Sequence, residues 1–279
     1  MKTVAIQGIA GSYHEMAARK FFLSKGEEIE IMPCDNFRGV IAEVKRDPKV
    51  TGIMAIENTI AGSLLQNHEL IRESDLVVVG EEKIHITHSI AALPDETLET
   101  VTEVNSHPIA LMQCGEYIDN LHGVKVVESD DTASSARRIA ENRLKGHAAI
   151  CSRYAAELYG LQILDEGIET NKRNFTRFLV LVNRWMANEI VDEREINKSS
   201  LVFNLPHTEG SLSKVLTIFH FYDINLTKIQ SLPIIGREWE YLFYVDLTFS
   251  NILKYKQGLD AARPLTKDFK ILGEYKEWK

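Results

Sequence analysis

The stretch Asn171-Lys172-Arg173-Asn174-Phe175-Thr176-Arg177-Phe178-Leu179-Val180-Leu181-Val182 opens polar and basic, then becomes a continuous β-rich apolar run. That is the pattern of a loop feeding a strand buried on both faces, as in α/β sheets. Asn174, Thr176 and Arg177 then sit where loop meets sheet, and functional side chains collect on such loops. Along the strand Thr176 and Phe178 share one face while Arg177 points to the other. A hydroxyl, a guanidinium and an aromatic ring suit a small, anionic, ring-shaped ligand. Structural strand starts carry the same residue types, and both readings stand at this point.

Upstream, the pattern alternates between strand and helix. Residues 2–7 predict a strand ending in Gln7-Gly8-Ile9-Ala10-Gly11-Ser12, followed by a helix over 13–23. A glycine-bearing strand-to-helix turn offers free backbone N–H groups to an anion. Gly8-x-x-Gly11 is not the dinucleotide fingerprint, and no Walker lysine follows. A strand over 28–34, a helix over 37–46 and a strand over 50–56 repeat the theme, the last ending in Glu57-Asn58-Thr59-Ile60-Ala61-Gly62-Ser63. Both loops fall at carboxyl ends of strands, where open α/β sheets bind ligands. Helix capping is the alternative role for Glu57 and Asn58.

Residues 76–80 and 84–93 read as extended segments crossing into a second lobe. His85 and His88, three apart in such a strand, fall on opposite faces, which disfavours a metal pair and makes both structural. The second lobe follows as strand 101–105, turn Ser106-His107-Pro108, helix to about 121, strand 124–128, helix from about 131 and strand 148–151. The Asp130-Asp131-Thr132 and Ser106-His107-Pro108 groups carry helix-start signals. Gln113, a polar group in an apolar helix turn, needs partners, and a ligand is one candidate. Strand–helix alternation over about 180 residues predicts mainly parallel sheets and a bilobal body that closes on its ligand.

Residues 184–198 are charge-dense and read as a connector. Beyond them the order is strand 199–205, helix 212–222, strands 225–231 and 240–249, helix 252–265 and strand 269–272, the β-α-β-β-α-β ferredoxin-like arrangement. The 279 residues are 44% hydrophobic and 26% charged, ordinary globular composition sufficient for roughly two domains. A net charge of −8 without a basic block argues against a nucleic-acid or anionic-membrane partner. Cys34, Cys114 and Cys151 are odd in number and lack any Cys-x-x-Cys pair, so neither a disulfide framework nor a zinc site is expected. Met1-Lys2 runs straight into Thr3-Val4-Ala5-Ile6 without a signal-peptide pattern, and no stretch approaches a membrane span. The expectation is a cytoplasmic protein.

Five blocks carry a family resemblance: Gly8-Ile9-Ala10-Gly11-Ser12-Tyr13-His14-Glu15, Ile56 through Ser63, Ser106-His107-Pro108 with Gln113-Cys114, Asp131-Thr132-Ala133, and Asn174-Phe175-Thr176-Arg177-Phe178. With the ferredoxin-like tail, the chain resembles bacterial monofunctional prephenate dehydratases over essentially its whole length. The resemblance implies a periplasmic-binding-protein-like (type II) bilobal catalytic domain over 1–185, its second lobe at about 80–170. A linker at 186–198 and a regulatory ACT domain over 199–279 would follow. It implies conversion of prephenate to phenylpyruvate in L-phenylalanine biosynthesis, with no metal or organic cofactor. It assigns Thr176 and Glu57 to catalysis, and Asn58, Thr59, Ser12, Gln113, Thr132, Arg177 and Phe178 to substrate binding.

In the tail, Gly210, Ser211, Leu212, Asn225 and Leu226 match the family's effector-binding loop and strand, implying feedback by L-phenylalanine in a homodimer or homotetramer. The chain departs from the family at Gln230-Ser231-Leu232-Pro233, where Glu-Ser-Arg-Pro is usual, losing both charges. A threonine hydroxyl is too weak an acid for full proton donation near neutral pH, so a donated hydrogen bond is the role open to Thr176. Glu57, if buried with a raised pKa, is the expected proton source. Arogenate as substrate, and a non-catalytic amino-acid sensor, are the competing readings.

Overall fold

The computed structural model describes residues 1–278. In chain order the elements are β1 (Lys2–Gln7), α1 (Tyr13–Leu23), β2 (Ile29–Cys34), α2 (Phe37–Arg46), β3 (Thr51–Asn58), β4 (Gly62–Ser63), α3 (Leu65–Ser74) and β5 (Val77–His85). Then come β6 (Ser89–Ala92), β7 (Glu103–Ser106), α4 (Pro108–Gln113), α5 (Gly115–Asp119), β8 (Lys125–Glu128), α6 (Thr132–Asn142), β9 (His147–Cys151), α7 (Arg153–Leu158), β10 (Gln162–Glu166) and β11 (Phe175–Val182). The tail is α8 (Ala187–Ile190), β12 (Lys198–Asn204), α9 (Ser211–Phe221), β13 (Asn225–Pro233), β14 (Tyr241–Thr248), α10 (Ile252–Ala262) and β15 (Lys267–Tyr275).

These strands form three sheets. The first has the order β2-β1-β3-β11-β5, with β4 paired to β3. The apolar run of the opening stretch lies inside it as β11, buried from Arg177 onward. The second sheet, β10-β6-β9-β7-β8, is mixed where mainly parallel pairing was expected. β7 pairs parallel with β8 and β9, but β6 runs antiparallel to both β9 and β10. One reversed strand is the geometric result of the chain entering this sheet through β6 directly from β5. Both faces of the second sheet are covered, with Ile90, Ala148 and Ile150 in one apolar cluster and Ala91, Ala149 and Cys151 in another.

The third sheet, β13-β14-β12-β15, is antiparallel throughout and packs with α9 and α10 around Leu201, Phe203, Val215, Phe219 and Tyr255. Its order is that of the ferredoxin-like fold. The connector is not irregular: a 3-10 turn at Arg184–Met186, α8 and a second turn at Glu193–Glu195 fill it.

Two further expectations are corrected. The helix expected to reach residue 121 breaks at Cys114, which leaves helical geometry (φ −104°, ψ 17°) between α4 and α5. The extended run expected over 84–93 is interrupted at residues 86–88, so His85 and His88 do not share a strand.

By packing, the chain divides into two compact units. The first comprises Met1–Val40, Ile53–Gly62 and Lys83–Phe178; the second comprises Ile41–Gly52, Ser63–Glu82 and the chain from Leu179 onward. Within the second unit the third sheet is fastened to α3 and β5. Lys198 Nζ donates to both Glu81 carboxylate oxygens at 2.8 and 3.0 Å, and both side chains are buried. Tyr244 donates to Glu69 Oε1 at 3.0 Å, and Lys270 donates to the Arg72 carbonyl at 2.6 Å. No helix among the described residues is long and apolar enough to cross a membrane.

Candidate active site

The end of β3 and the start of β11 carry a buried amide network. Asn58, the last residue of β3, accepts from the backbone N–H groups of Ile60 (2.9 Å) and Ala61 (2.8 Å) through Oδ1. These two donors fix its carboxamide, so the opposite atom is the Nδ2 donor. Nδ2 points to Asn174 Oδ1 at 2.7 Å, Thr176 Oγ1 at 3.0 Å and the Phe175 carbonyl at 3.2 Å. The order propagates: Asn174 Nδ2 donates to Gln113 Oε1 at 2.9 Å. Asn58, Asn174 and Gln113 are all buried, and every residue of the network lies in the first unit.

This ordering determines what Thr176 and Gln113 can do. Thr176 Oγ1 accepts from Asn58, and its hydroxyl hydrogen has no protein acceptor among the described residues. Gln113 Oε1 is engaged, while its Nε2 amide has no protein acceptor among them. Two donors are thereby left for a ligand, one of them a hydroxyl polarised by an amide behind it. Donors fixed in advance where negative charge develops are the most effective electrostatic catalysts.

Strand alternation separates the other predicted residues from this pair. Glu57 precedes Asn58 on β3 and Arg177 follows Thr176 on β11, so both project from the opposite face of the sheet. There Arg177 Nη1 approaches Glu57 Oε2 at 3.8 Å. The Glu57 side chain is 39% exposed and paired with a guanidinium, which is not the buried setting its proton-donor role required. Burial acts instead at Asp131, whose carboxyl it pushes above the usual range against opposing N–H bonds from Ala133 and Ser134. Asp131 caps α6, its Oδ1 accepting from Ala133 N at 2.6 Å. Oδ2 lies against Gly8, where an added Cβ would come within 2.4 Å of it.

Gly8 and Gly11 hold φ of +94° and +91°, a region that strains residues with a Cβ. Ser12 caps α1 by accepting from Glu15 N, so its hydroxyl oxygen is committed to the helix. The buried Glu15 carboxylate takes the Gly11 N–H and the Arg19 guanidinium, occupying the anion position of this turn. Thr132 is the first residue of α6 beside Asp131. Thr59 binds β3 to the approach of β11, donating to the Arg173 carbonyl and accepting from Phe175 N. Phe178 is buried edge-on against His14, ring centroids 5.0 Å apart, and serves the core. His14 Nε2 accepts from Ala55 N, and burial lowers its pKa to about 3.

His88 is the residue that pattern reading set aside and the structure brings to the network. It is buried, its Nε2 lies 3.0 Å from Gln113 Oε1, and its Nδ1 lies 3.2 Å from the Tyr13 hydroxyl. Its position in an irregular crossing segment hid it, since no periodicity predicts where such a side chain points. The cysteines are thiols outside any disulfide, and burial pushes Cys114 and Cys151 up to about 12, so neither is a nucleophile at neutral pH. No cluster of three metal-ligating side chains occurs among the described residues.

In the second unit, Gly210 opens α9 in a left-handed conformation (φ +73°), and the Ser211 and Thr208 hydroxyls share a hydrogen bond. Leu212 packs partly buried against the tail's core. Asn225 and Leu226 begin β13 opposite Thr248 and Leu247. Two residues on, Lys228 Nζ donates to Ser63 Oγ at 2.9 Å.

The sheets and the amide network define an α/β protein with hydrogen-bond donors gathered at the carboxyl end of β3 and a ferredoxin-like tail. The chain belongs to the prephenate dehydratase family, whose model matches residues 4–185. It is 37% identical to arogenate dehydratase 1 of Petunia hybrida, over 98% of this chain and 66% of that protein. It is 34% identical to the bifunctional chorismate mutase/prephenate dehydratase of Aquifex aeolicus (strain VF5), over 98% of this chain and 73% of that protein. The chain thus spans about two thirds of the length of the curated relatives it matches. Among solved structures, one described as GqqA, a novel type of quorum quenching acylase, superposes with a TM-score of 0.86 at 28% identity, covering 99% of this chain and 98% of that one.

Proposed function

We propose that the protein is a dehydratase that converts prephenate to phenylpyruvate, carbon dioxide and water. The observation that carries this reading is the Asn58 amide donating to Thr176 Oγ1, which leaves the Thr176 O–H to donate outward. In the reaction the carboxylate leaves as carbon dioxide, and its bonding pair enters the ring. The ring hydroxyl departs with the C–O pair and takes up one proton to become water. Aromatisation drives the change, so the protein has to hold the dianion and stabilise the departing oxygen. The Thr176 hydroxyl stabilises that oxygen by hydrogen bonding, and the Gln113 amide orients an oxygen of the substrate. Asp131, kept protonated more readily by burial, serves as the proton source in this reading in place of the half-exposed Glu57.

Arogenate is the second reading. It is favoured by the 37% identity to a plant protein named arogenate dehydratase 1. The tail acts in this reading as an ACT domain that binds L-phenylalanine through the 210–212 loop and the start of β13 in a homodimer or homotetramer. Purified protein given prephenate or arogenate, with and without L-phenylalanine, tests all of this. Phenylpyruvate formed from prephenate is the expected result. Turnover of arogenate alone would replace the first reading with the second, and no turnover of either would refute both.

A further inference from the structure

We propose that His88 is a positioning residue of the dehydratase reaction: its Nε2–H is a second donor to Gln113 Oε1 and holds that carboxamide with its Nε2 amide turned away from Asn174. The inference rests on the dehydratase reading above and adds to it a residue outside the expected site.

The argument is one of donor accounting. The Ile60 and Ala61 N–H groups fix Asn58, Asn58 fixes Asn174, and Asn174 fixes Gln113 with Oε1 facing inward. His88 Nε2 lies 3.0 Å from that same oxygen. A bare lone pair there would face another acceptor, so Nε2 carries the hydrogen and Nδ1 is left as the acceptor. The Tyr13 hydroxyl donates to the Thr87 carbonyl at 2.7 Å and lies 3.2 Å from Nδ1, the longer of its two contacts.

The backbone holds the ring in place from both sides. His88 N donates to the buried Glu169 carboxylate at 2.9 Å, and the His88 carbonyl accepts from Ile168 N at 3.1 Å. Burial disfavours the charged imidazole and outweighs the Gln113 bond and the Glu169 charge. Two donors therefore converge on Gln113 Oε1. With only Asn174 present, the carboxamide could turn about its terminal torsion, and its ligand-facing amide would lose its aim.

The test uses the full chain with His88→Leu and His88→Gln, because a glutamine side-chain amide can restore a donor near the Nε2 position. The expected result is a kcat lower by roughly 10- to 100-fold in the leucine variant, with a smaller change in KM, and recovery of most of that loss in the glutamine variant. A purely structural role would move thermal stability without this kcat pattern. Histidine ¹⁵N spectra of the wild type, assigned by the loss of one ring in the variants, should show a neutral Nε2–H tautomer for His88. A folded leucine variant with wild-type kcat, or an Nδ1–H tautomer in an active enzyme, overturns the assignment alone. Wild-type protein that turns over neither prephenate nor arogenate overturns the dehydratase reading and, with it, the catalytic consequence drawn for His88.

Discussion

Replacing Asn58 by aspartate changes one NH₂ to an oxygen and leaves the shape of the side chain intact. Oδ1 still accepts from Ile60 and Ala61. The other atom, now an acceptor, faces three acceptors: Asn174 Oδ1 at 2.7 Å, Thr176 Oγ1 at 3.0 Å and the Phe175 carbonyl at 3.2 Å. Thr176 can answer by turning its hydrogen toward the carboxylate, which removes the donor intended for the substrate. Asn174 and Phe175 cannot answer. The Phe175 carbonyl keeps its bond from Thr59 N at 2.9 Å, so one buried acceptor, Asn174 Oδ1, is left unsatisfied at a cost of about 1–3 kcal/mol. A loss near 2 kcal/mol corresponds to a fall of roughly 4–8 °C in Tm, on the scale of about 2–4 °C per kcal/mol. Diverting the Thr176 hydrogen should lower kcat by about 10²- to 10³-fold.

The pH dependence of Asn58→Asp sharpens the test. Burial without a cation raises the new carboxyl's pKa, and its protonated form regains one donor. The folded-state pKa then exceeds the unfolded one, so the variant is relatively stabilised at low pH and loses that stabilisation as pH rises through the folded value. Thermal melts and turnover measured across mildly acidic to neutral pH should show both quantities improving on acidification relative to wild type. A variant with wild-type Tm, wild-type kcat and no such dependence would refute the donor accounting.

Three further outcomes concern other parts of the molecule. Lys198→Met takes the cation from the buried Glu81 pair, with the Trp278 N–H still donating to the carboxylate at 3.1 Å, and should lower stability by about 3 kcal/mol in denaturant titrations, whereas combining it with Glu81→Leu should recover most of the loss. Gly273→Ala would place a Cβ 2.0 Å from the Val78 carbonyl oxygen and 2.6 Å from its Cβ, so β15 cannot keep its seat on β5. A loss of about 3 kcal/mol or more is expected, and an unchanged Tm would contradict the described packing. His14, held neutral down to about 3 against a usual 6.5, gives a folded state that binds fewer protons than the unfolded chain between those values. Stability should therefore fall as pH drops below 6.5, and His14→Gln should flatten that part of a pH–stability profile.

Much of the fold was legible because its signals are local. The strand at β11, the helices at Tyr13–Leu23 and Phe37–Arg46, and the β-α-β-β-α-β tail each carry their own period, caps or apolar run. What escaped were elements too short for a period to emerge, such as α7 and β10, and the break at Cys114, directly before Gly115. Nor did the sequence reveal that Ile41–Gly52 and Ser63–Glu82 cluster with the tail, since the contacts responsible join residues far apart in the chain.

The site was legible in part for the same reason. Asn58, Gln113 and Thr176 sit on blocks with family character, and alternation along β11 correctly turned Arg177 away from Thr176. The same alternation on β3 turns Glu57 away from Asn58, a consequence visible only once β3 is seen to run through Asn58 instead of ending before Glu57. His88 was illegible because its role depends on a partner 25 residues away and on a crossing segment without regular geometry.

The measurement that bears most directly on the central claim is prephenate turnover by Thr176→Val beside Thr176→Ser. Valine keeps the shape and removes the hydroxyl, while serine keeps the hydroxyl that Asn58 polarises. The account predicts a loss in kcat of about 10²- to 10³-fold for valine and retention of most activity by serine. A folded valine variant with wild-type turnover would contradict it.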